Sequence, residues 1–221
     1  MSVVEITNVS KTYNMGKVTI SALNGINLKV QRGEFLILKG QSGSGKSTTL
    51  NIIGGMDIPT SGSVSISGQN TENMNDYQLS QIRRNHIGFI FQSFNLIPVL
   101  NALENVEYPL RLRKVKQSRD KAREALCQVG LEKLMKHRPN ELSGGQIQRV
   151  AIARGIVSNP DIILADEPTA NLDSKTSNQI LDMMLGLNQK KSLTFIVCTH
   201  HLQVMDRASR VIELMDGQIV N

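Results

Sequence analysis

The chain has 221 residues, of which 40% are hydrophobic and 20% charged, and its net charge is +6. That balance suits a globular protein large enough to bury its own core, and it excludes disordered, collagen-like and disulfide-scaffolded chains. No window approaches the roughly 18 apolar residues of a spanning helix, and Met1–Ile6 lacks a leader's basic-then-apolar pattern, so any membrane role is expected to run through a partner.

In chain order, Val3–Ile6 and Leu23–Val30 alternate as strands, and Phe35–Leu38 is a continuous apolar run of the kind buried on both faces of a sheet. Gly40–Gly45 breaks that run, and Lys46–Gly54 has helical character. Val64–Ile66 and Ile87–Phe91 are further strands. From about Asn101 to Val157 the pattern turns helical, with apolar faces at Ala122, Ala125, Leu126 and Val129 and again at Val150, Ala151, Ala153 and Ile156. A buried strand returns at Ile162–Ala165, followed by a helix over Lys175–Lys190 and a strand at Thr194–Cys198. Two short strands, Val211–Leu214 and Gln218–Val220, flank an Asp216-Gly217 turn. This alternation predicts an α/β fold with a mainly parallel core sheet, and the helical stretch looks like a subdomain inserted over about residues 93–158.

Cys127 and Cys198 belong to no CxxC pair or Cys/His cluster, so they are expected as reduced thiols in a cytoplasmic chain. The basic run Arg111, Arg113, Lys114, Lys116, Arg119, Lys121 and Arg123 reads as a solvated helix face and linker, with a membrane-proximal surface as the functional alternative. Aromatics make up 4% and Trp is absent, which argues against base-stacking platforms, so no nucleic-acid partner is expected.

Three elements carry chemistry. Gly40-Gln-Ser-Gly-Ser-Gly-Lys46-Ser47 fits the phosphate-loop pattern GxxxxGK[ST]. Gly40, Ser42, Gly43, Ser44 and Gly45 let backbone N–H groups curl round phosphate oxygens, and the following helix points its positive end at them. Lys46 can then reach the β- and γ-phosphates, and the Ser47 hydroxyl can ligate Mg²⁺. The second element is Ile162-Ile-Leu-Ala-Asp166-Glu167, an apolar strand ending in two acids. Asp166 suits support of Mg²⁺, and Glu167 suits activation of a water facing the γ-phosphate. The third, Leu142-Ser143-Gly144-Gly145-Gln146, is a capped helix start that could also bind an anion.

LSGGQ at 142–146 resembles the signature of the ABC (ATP-binding cassette) ATPase family, and the resemblance spans nearly the whole chain. It implies a P-loop NTPase fold of the ABC ATPase type, with an antiparallel β subdomain and an inserted α-helical subdomain added to the mainly parallel core sheet, and an ATP-hydrolysing subunit with ATP and Mg²⁺ as ligand and cofactor. In that likeness Tyr13 matches the adenine-stacking aromatic, Thr48 follows the phosphate loop as a nucleotide contact, and Gln92 matches the Mg²⁺- and water-contacting glutamine. Asn171-Leu-Asp173 is similar to the D-loop, and His200 to the switch histidine that contacts the γ-phosphate. Glu167, Lys46 and His200 would be the catalytic set, with Ser47, Gln92 and Asp166 at the metal. The resemblance also implies a head-to-tail homodimer, in which Ser143, Gly144, Gly145 and Gln146 of one copy complete the ATP site of the other, and a transmembrane permease as partner. The chain would then sit on the inner face of the membrane through that permease.

The segments 51–62, 91–98 and 101–106 look like the group that contains lipoprotein-release and macrolide-export ATPases, with export or lipoprotein release the expected function. Regulation of cell-wall enzymes through a membrane partner is an alternative, as is a soluble relative acting on DNA or the ribosome. Four positions depart from the family pattern: Lys39 before the phosphate loop, Ile147 after the signature, Gly155 within its helix, and His201 after the histidine.

Overall fold

The computed structural model describes residues 2–16, 18–199, 205 and 207–220. His200 and His201 lie outside the described residues.

The chain opens with a long ribbon, β1 (Ser2–Met15) and β2 (Val18–Gln31), then runs through β3 (Phe35–Lys39), α1 (Lys46–Ile53), β4 (Ser61–Ile66) and β5 (Gln69–Asn70). Next come α2 (Asp76–His86), β6 (Ile87–Ile90), α3 (Ala102–Leu112), α4 (Ser118–Gln128), a 3₁₀ turn at Pro139–Glu141 and α5 (Gly144–Ile156). The chain closes with β7 (Ile162–Asp166), α6 (Ser174–Lys191), β8 (Thr194–Cys198), β9 (Arg210–Met215) and β10 (Gln218–Ile219). Among the described residues two sheets form, an antiparallel one in the order β2-β1-β4-β5 and a second in the order β10-β9-β3-β8-β7-β6. Among these residues, the β9–β10 pair of the second sheet is antiparallel and its other pairs are parallel. The expected α/β architecture, with a mainly parallel core sheet and an antiparallel one beside it, is what forms.

The continuous apolar runs have a simple cause. Alternate residues of each central strand enter different cores. Phe35, Ile37, Ile163, Ala165, Phe195 and Val197 meet the helices α3 to α6 on one face. Leu36, Leu38, Ile162, Leu164, Ile196 and Cys198 meet α1 and the antiparallel sheet on the other. A strand covered on both faces has no polar side, and each fully buried aliphatic contributes about 1.5–3 kcal/mol. The helical stretch resolves into α3, α4 and α5, which pack on one another and on the sheet. The backbone of α5 lies directly on β6: a Cβ on Gly88 would fall 2.1 Å from the Gly155 carbonyl oxygen. Gly155 therefore sits where helix and strand backbones touch.

Helix α2 has no counterpart among the predicted elements. Only Leu79 and Ile82 are buried along it, so it shows almost no apolar periodicity. Its one legible signal is the capping box formed by Asn75 and Gln78. Lys39 also finds a reason here, since it pairs with Glu213 on β9 at 2.7 Å. In the basic run, the buried Glu107 carboxylate of α3 accepts from Ser118 at 2.8 Å and stands 3.9 Å from both Arg111 and Arg119. Among the described residues no helix is long and apolar enough to cross a membrane.

Candidate nucleotide-binding site

The site forms at the C-terminal end of β3, where the apolar run stops and the loop 40–45 leads into α1. The N-cap of α1 is Gly45, which offers no side-chain hydrogen bond. The amides and positive dipole end of that first turn are thereby left for an anion. The Lys46 ammonium folds back and donates to the Gly40 and Gln41 carbonyls at 2.7 and 2.9 Å. Around this loop is a cleft of about 500 Å³ lined by Gly40, Ser42, Gly43, Gly45, Lys46, Ser47 and Thr48, with Gln92, Asp166 and Glu167 opposite. Ser44 is the member of the predicted loop that does not line it. Its side chain is buried, and its Oγ meets no hydrogen-bond partner among the described residues.

The acidic pair arrives on β7, next to β3's neighbour β8 in the parallel sheet. Across the cleft the Ser47 hydroxyl donates to Asp166 Oδ1 at 3.2 Å. The following residue, Glu167, takes φ +46°, a left-handed conformation uncommon outside glycine and concentrated at functional sites. Its N–H is held by the Cys198 carbonyl at 3.0 Å. Cys198 itself is buried in the core away from the cleft lining: burial, with the Asp166 charge adding to it, pushes its thiol well above its ordinary pKa.

Gln92 enters from the chain after β6, and this segment is held by Asn171 of the D-loop-like stretch together with two residues that sequence patterns did not single out, Arg154 and Asn105. Asn171 Nδ2 donates to the Gln92 carbonyl at 3.0 Å. Arg154 of α5 donates to the carbonyls of Phe94, at 2.8 Å, and Asn95. Burial lowers its guanidinium pKa. Asn105, 1% exposed, spends its amide on Ile97, Leu100 and Asn101 carbonyls and accepts from the Ile97 N–H. A polar residue fully satisfied in a core fixes the loop it binds. The available signal was weak: an Asn or Arg at a helix position that periodicity assigns to the interior.

Tyr13 lies on the β1–β2 ribbon outside the cleft lining, yet it is tied to α1. Its hydroxyl donates to Asp57 Oδ2 at 2.6 Å, and the Asp57 N–H donates to the Asn51 carbonyl of α1. Partial burial raises the Tyr13 pKa, and the bond to Asp57 adds to it.

The signature residues gather elsewhere. Ser143 and Gly145, with Gln146, Arg149, Thr176 and Gln179, line a second cleft of about 290 Å³. Ser143 caps α5, and the Gln146 side chain accepts from the Ser143 N–H at 2.9 Å. Asp173 caps α6 in the same neighbourhood, accepting from the Thr176 N–H and hydroxyl at 2.9 and 2.6 Å. Those bonds hold its carboxyl below its ordinary pKa. A Cβ on Gly145 would fall 2.6 Å from Thr176 Cγ2, so the start of α5 touches the start of α6 through the absence of a side chain. Gly144 lies beside Leu172 in the same contact. One chain thus presents two anion-suited helix starts in two separate clefts.

The donor set suits a hard cation bound together with phosphates. Mg²⁺ keeps few protein ligands, typically one or two oxygens plus phosphate and water. Ser47 and Asp166 supply such oxygens, and among the described residues no cluster of three or more His, Cys, Asp or Glu forms an all-protein cage.

Comparison with known proteins agrees with this geometry. A family model described as "ABC transporter" matches residues 23–170. The chain is 49% identical over 222 residues to the uncharacterised ABC transporter ATP-binding protein MJ0796 of Methanocaldococcus jannaschii, covering 98% of this chain and 94% of that one. It is 45% identical over 216 residues to the macrolide export ATP-binding/permease protein MacB of Bdellovibrio bacteriovorus, covering 98% of this chain but 33% of that protein. A solved dimeric structure of MJ0796 in a post-hydrolysis state bound to ADP and Pi superposes with a TM-score of 0.90 at 48% identity, over 99% of this chain and 97% of the other. With a phosphate loop, an acidic strand end and a signature helix each in place, the chain belongs to the ABC transporter family as one of its ATP-binding cassettes.

Proposed function

We propose that this chain hydrolyses ATP to drive a membrane-spanning exporter, and that the site residues divide the work as follows. The observation that carries the reading is the Ser47–Asp166 hydrogen bond at 3.2 Å in a cleft shared by Lys46 and Glu167. It brings together, from the start of α1 and the end of β7, the oxygens for Mg²⁺, the ammonium for a γ-phosphate and a carboxylate for water.

Gly40, Ser42, Gly43, Gly45 and Thr48 bind the phosphates through the loop and the first turn of α1, and Ser44 contributes backbone rather than side chain. Lys46 leaves the Gly40 and Gln41 carbonyls for the β- and γ-phosphate oxygens. Ser47, Asp166 and Gln92 would hold Mg²⁺, which when bound neutralises phosphate charge. Glu167 orients a water and accepts its proton as the water oxygen attacks the γ-phosphorus. The bond from that phosphorus to the β-bridging oxygen breaks, leaving ADP and phosphate. A positioned base of this kind contributes about 10²–10⁴-fold in rate. His200 would contact the γ-phosphate, a role that rests on the sequence resemblance.

Ser143, Gly144, Gly145 and Gln146 act on the ATP of a second copy, with Asp173 beside them. Two separate clefts in one chain support an arrangement completed in trans, as do the dimeric MJ0796 structures. ATP closes such a dimer and hydrolysis reopens it, a two-state element biased by the γ-phosphate. We take residues 93–158 as the helical subdomain that passes the motion to a transmembrane permease at the inner face of the membrane. The macrolide exporter, which by its name joins an ATP-binding part to a permease, supports that partner.

The test is Glu167→Gln, expected to bind ATP, lose turnover and accumulate as an ATP-bound dimer. Wild-type turnover would remove Glu167 from the role of base. A pull-down of tagged Glu167→Gln with ATP from solubilised native membranes should recover a membrane-spanning protein with a large extracytoplasmic domain. Recovery of only ribosomal or DNA-bound proteins would overturn the membrane reading.

A further inference from the structure

The surroundings of Tyr13 hold more than the aromatic ring. Lys11, two residues earlier on the same face of β1, reaches Asp57 Oδ1 at 2.5 Å and the Ile58 carbonyl at 2.7 Å, and its ammonium stands 4.9 Å over the Tyr13 ring. Asp57 divides its two oxygens: Oδ1 takes Lys11 and the Ile58 N–H, and Oδ2 takes the Tyr13 hydroxyl. Burial pushes the Asp57 carboxyl up, but the hydrogen bonds from Lys11 and Tyr13 outweigh it and hold the group ionised below its ordinary pKa. The loop carrying Asp57 is itself anchored to the end of α1, because the N–H groups of Met56 and Asp57 both donate to the Asn51 carbonyl. The ring is thus fixed through its hydroxyl to the loop that follows the phosphate-loop helix, and one of its faces is occupied by a cation.

We infer that Lys11 and Asp57 are positioning residues for the nucleotide base: they lock the Tyr13 ring to the phosphate-loop helix and cover one face, leaving a single face for a purine to stack on. This rests on the reading of Tyr13 as the base platform. The physical gain is pre-organisation. A tyrosine at the tip of a ribbon loses rotamer freedom when a ligand lands on it, and a ring already held by an ionised carboxylate has lost it beforehand. The lock also ties the antiparallel sheet to α1, so base platform and phosphate cradle move as one body. Asp57 is charged and 26% exposed in its side chain, and Lys11 is 13% exposed. A charge so far withdrawn from water is maintained by the pair rather than by solvent, and removing one partner releases the other.

The experiment compares ADP with inorganic pyrophosphate, binding each to the purified full chain by titration calorimetry with Mg²⁺. ADP presents base and phosphates, and pyrophosphate presents phosphates alone. Five chains are needed: wild type, Tyr13→Ala, Asp57→Asn, the double variant, and Lys11→Met as a second probe that keeps the aliphatic stem. Tyr13→Ala is expected to weaken ADP by about tenfold or more and leave pyrophosphate unchanged, since stacking on an aromatic is worth about a factor of ten or more. Asp57→Asn and Lys11→Met are expected to weaken ADP about 3- to 10-fold, again sparing pyrophosphate. In the Tyr13→Ala background, Asp57→Asn should then add nothing, because the residue acts only through the ring. If Tyr13→Ala weakens ADP but Asp57→Asn and Lys11→Met do not, the positioning role is wrong and the platform stands. If Tyr13→Ala itself leaves ADP binding intact, the platform reading falls with it. Equal losses for ADP and pyrophosphate in Asp57→Asn would mean that the group merely supports the loop, and would overturn the proposal.

Discussion

Asn171 Nδ2 donates to the Gln92 carbonyl at 3.0 Å, joining two segments 79 residues apart in the chain. Gln92 lines the phosphate cleft, while Asn171 begins the turn that ends in Asp173, the cap of α6. The start of α6 in turn touches the start of α5 through Thr176 and Gly145. One backbone carbonyl therefore connects the cleft to the signature region within a single chain. Asn171→Ala should free the Gln92 segment at a cost of about 1 kcal/mol locally. Amide exchange over residues 91–95 is expected to speed up roughly fivefold, with exchange in β3 and β8 unchanged.

A substitution at the signature separates the two clefts. Ser143→Arg fills the face of the cleft that holds Gly145 and Thr176 without reaching the phosphate loop. ATP affinity of the monomeric chain is expected to stay within about twofold of wild type, a change of a few tenths of a kcal/mol. Steady-state hydrolysis should fall to background. A parallel loss of binding would argue against completion in trans. Loss of the Ser143 cap costs about 1 kcal/mol, which a thermal melt of Ser143→Ala measures separately.

Acid stability should report on Asp161. Burial raises its pKa, but hydrogen bonds from His86, Ser67 and Arg32 outweigh that and hold the folded-state value below the ordinary one. Its bonds run to His86 Nδ1 and Arg32 at 2.6 Å and to Ser67 at 2.8 Å, tying α2, the β2–β3 turn and the β4–β5 turn to the start of β7. For a carboxylate with a depressed folded pKa, the contribution is present above the unfolded value, about 3.9, and is lost as pH falls through the folded one. Asp161→Asn should therefore lower the urea midpoint at pH 7 by the equivalent of about 1 kcal/mol. The gap to wild type should close as pH drops below about 4. A gap that held constant down to acid pH would assign the effect to packing.

Much of the fold is legible in the residues because the relevant physics is local. The runs Phe35–Leu38, Ile162–Ala165 and Thr194–Cys198 announce strands covered on both faces, and no partner need be known to infer that. The phosphate loop, the acidic strand end and LSGGQ are equally local, since each places its groups by a single turn or a single strand terminus. Helix α2 escaped because its stability comes from a capping box and two buried residues rather than from an apolar stripe.

What only the tertiary structure decided are relations between distant segments. Pairing β7 and β3 on either side of β8 set Asp166 across from Ser47. The folding of α5 back over the chain after β6 put Arg154 on the Phe94 and Asn95 carbonyls. The turn after α1 carried Asp57 to Lys11 and Tyr13. The loop before α1 turned the Ser44 side chain inward while its neighbours lined the cleft. The sequence by itself determined which chemical groups this protein brings and which strands and helix starts present them. Hydrogen bonds and close backbone contacts pair groups that are dozens of residues apart, so their partners depend on topology and register, which no local pattern encodes.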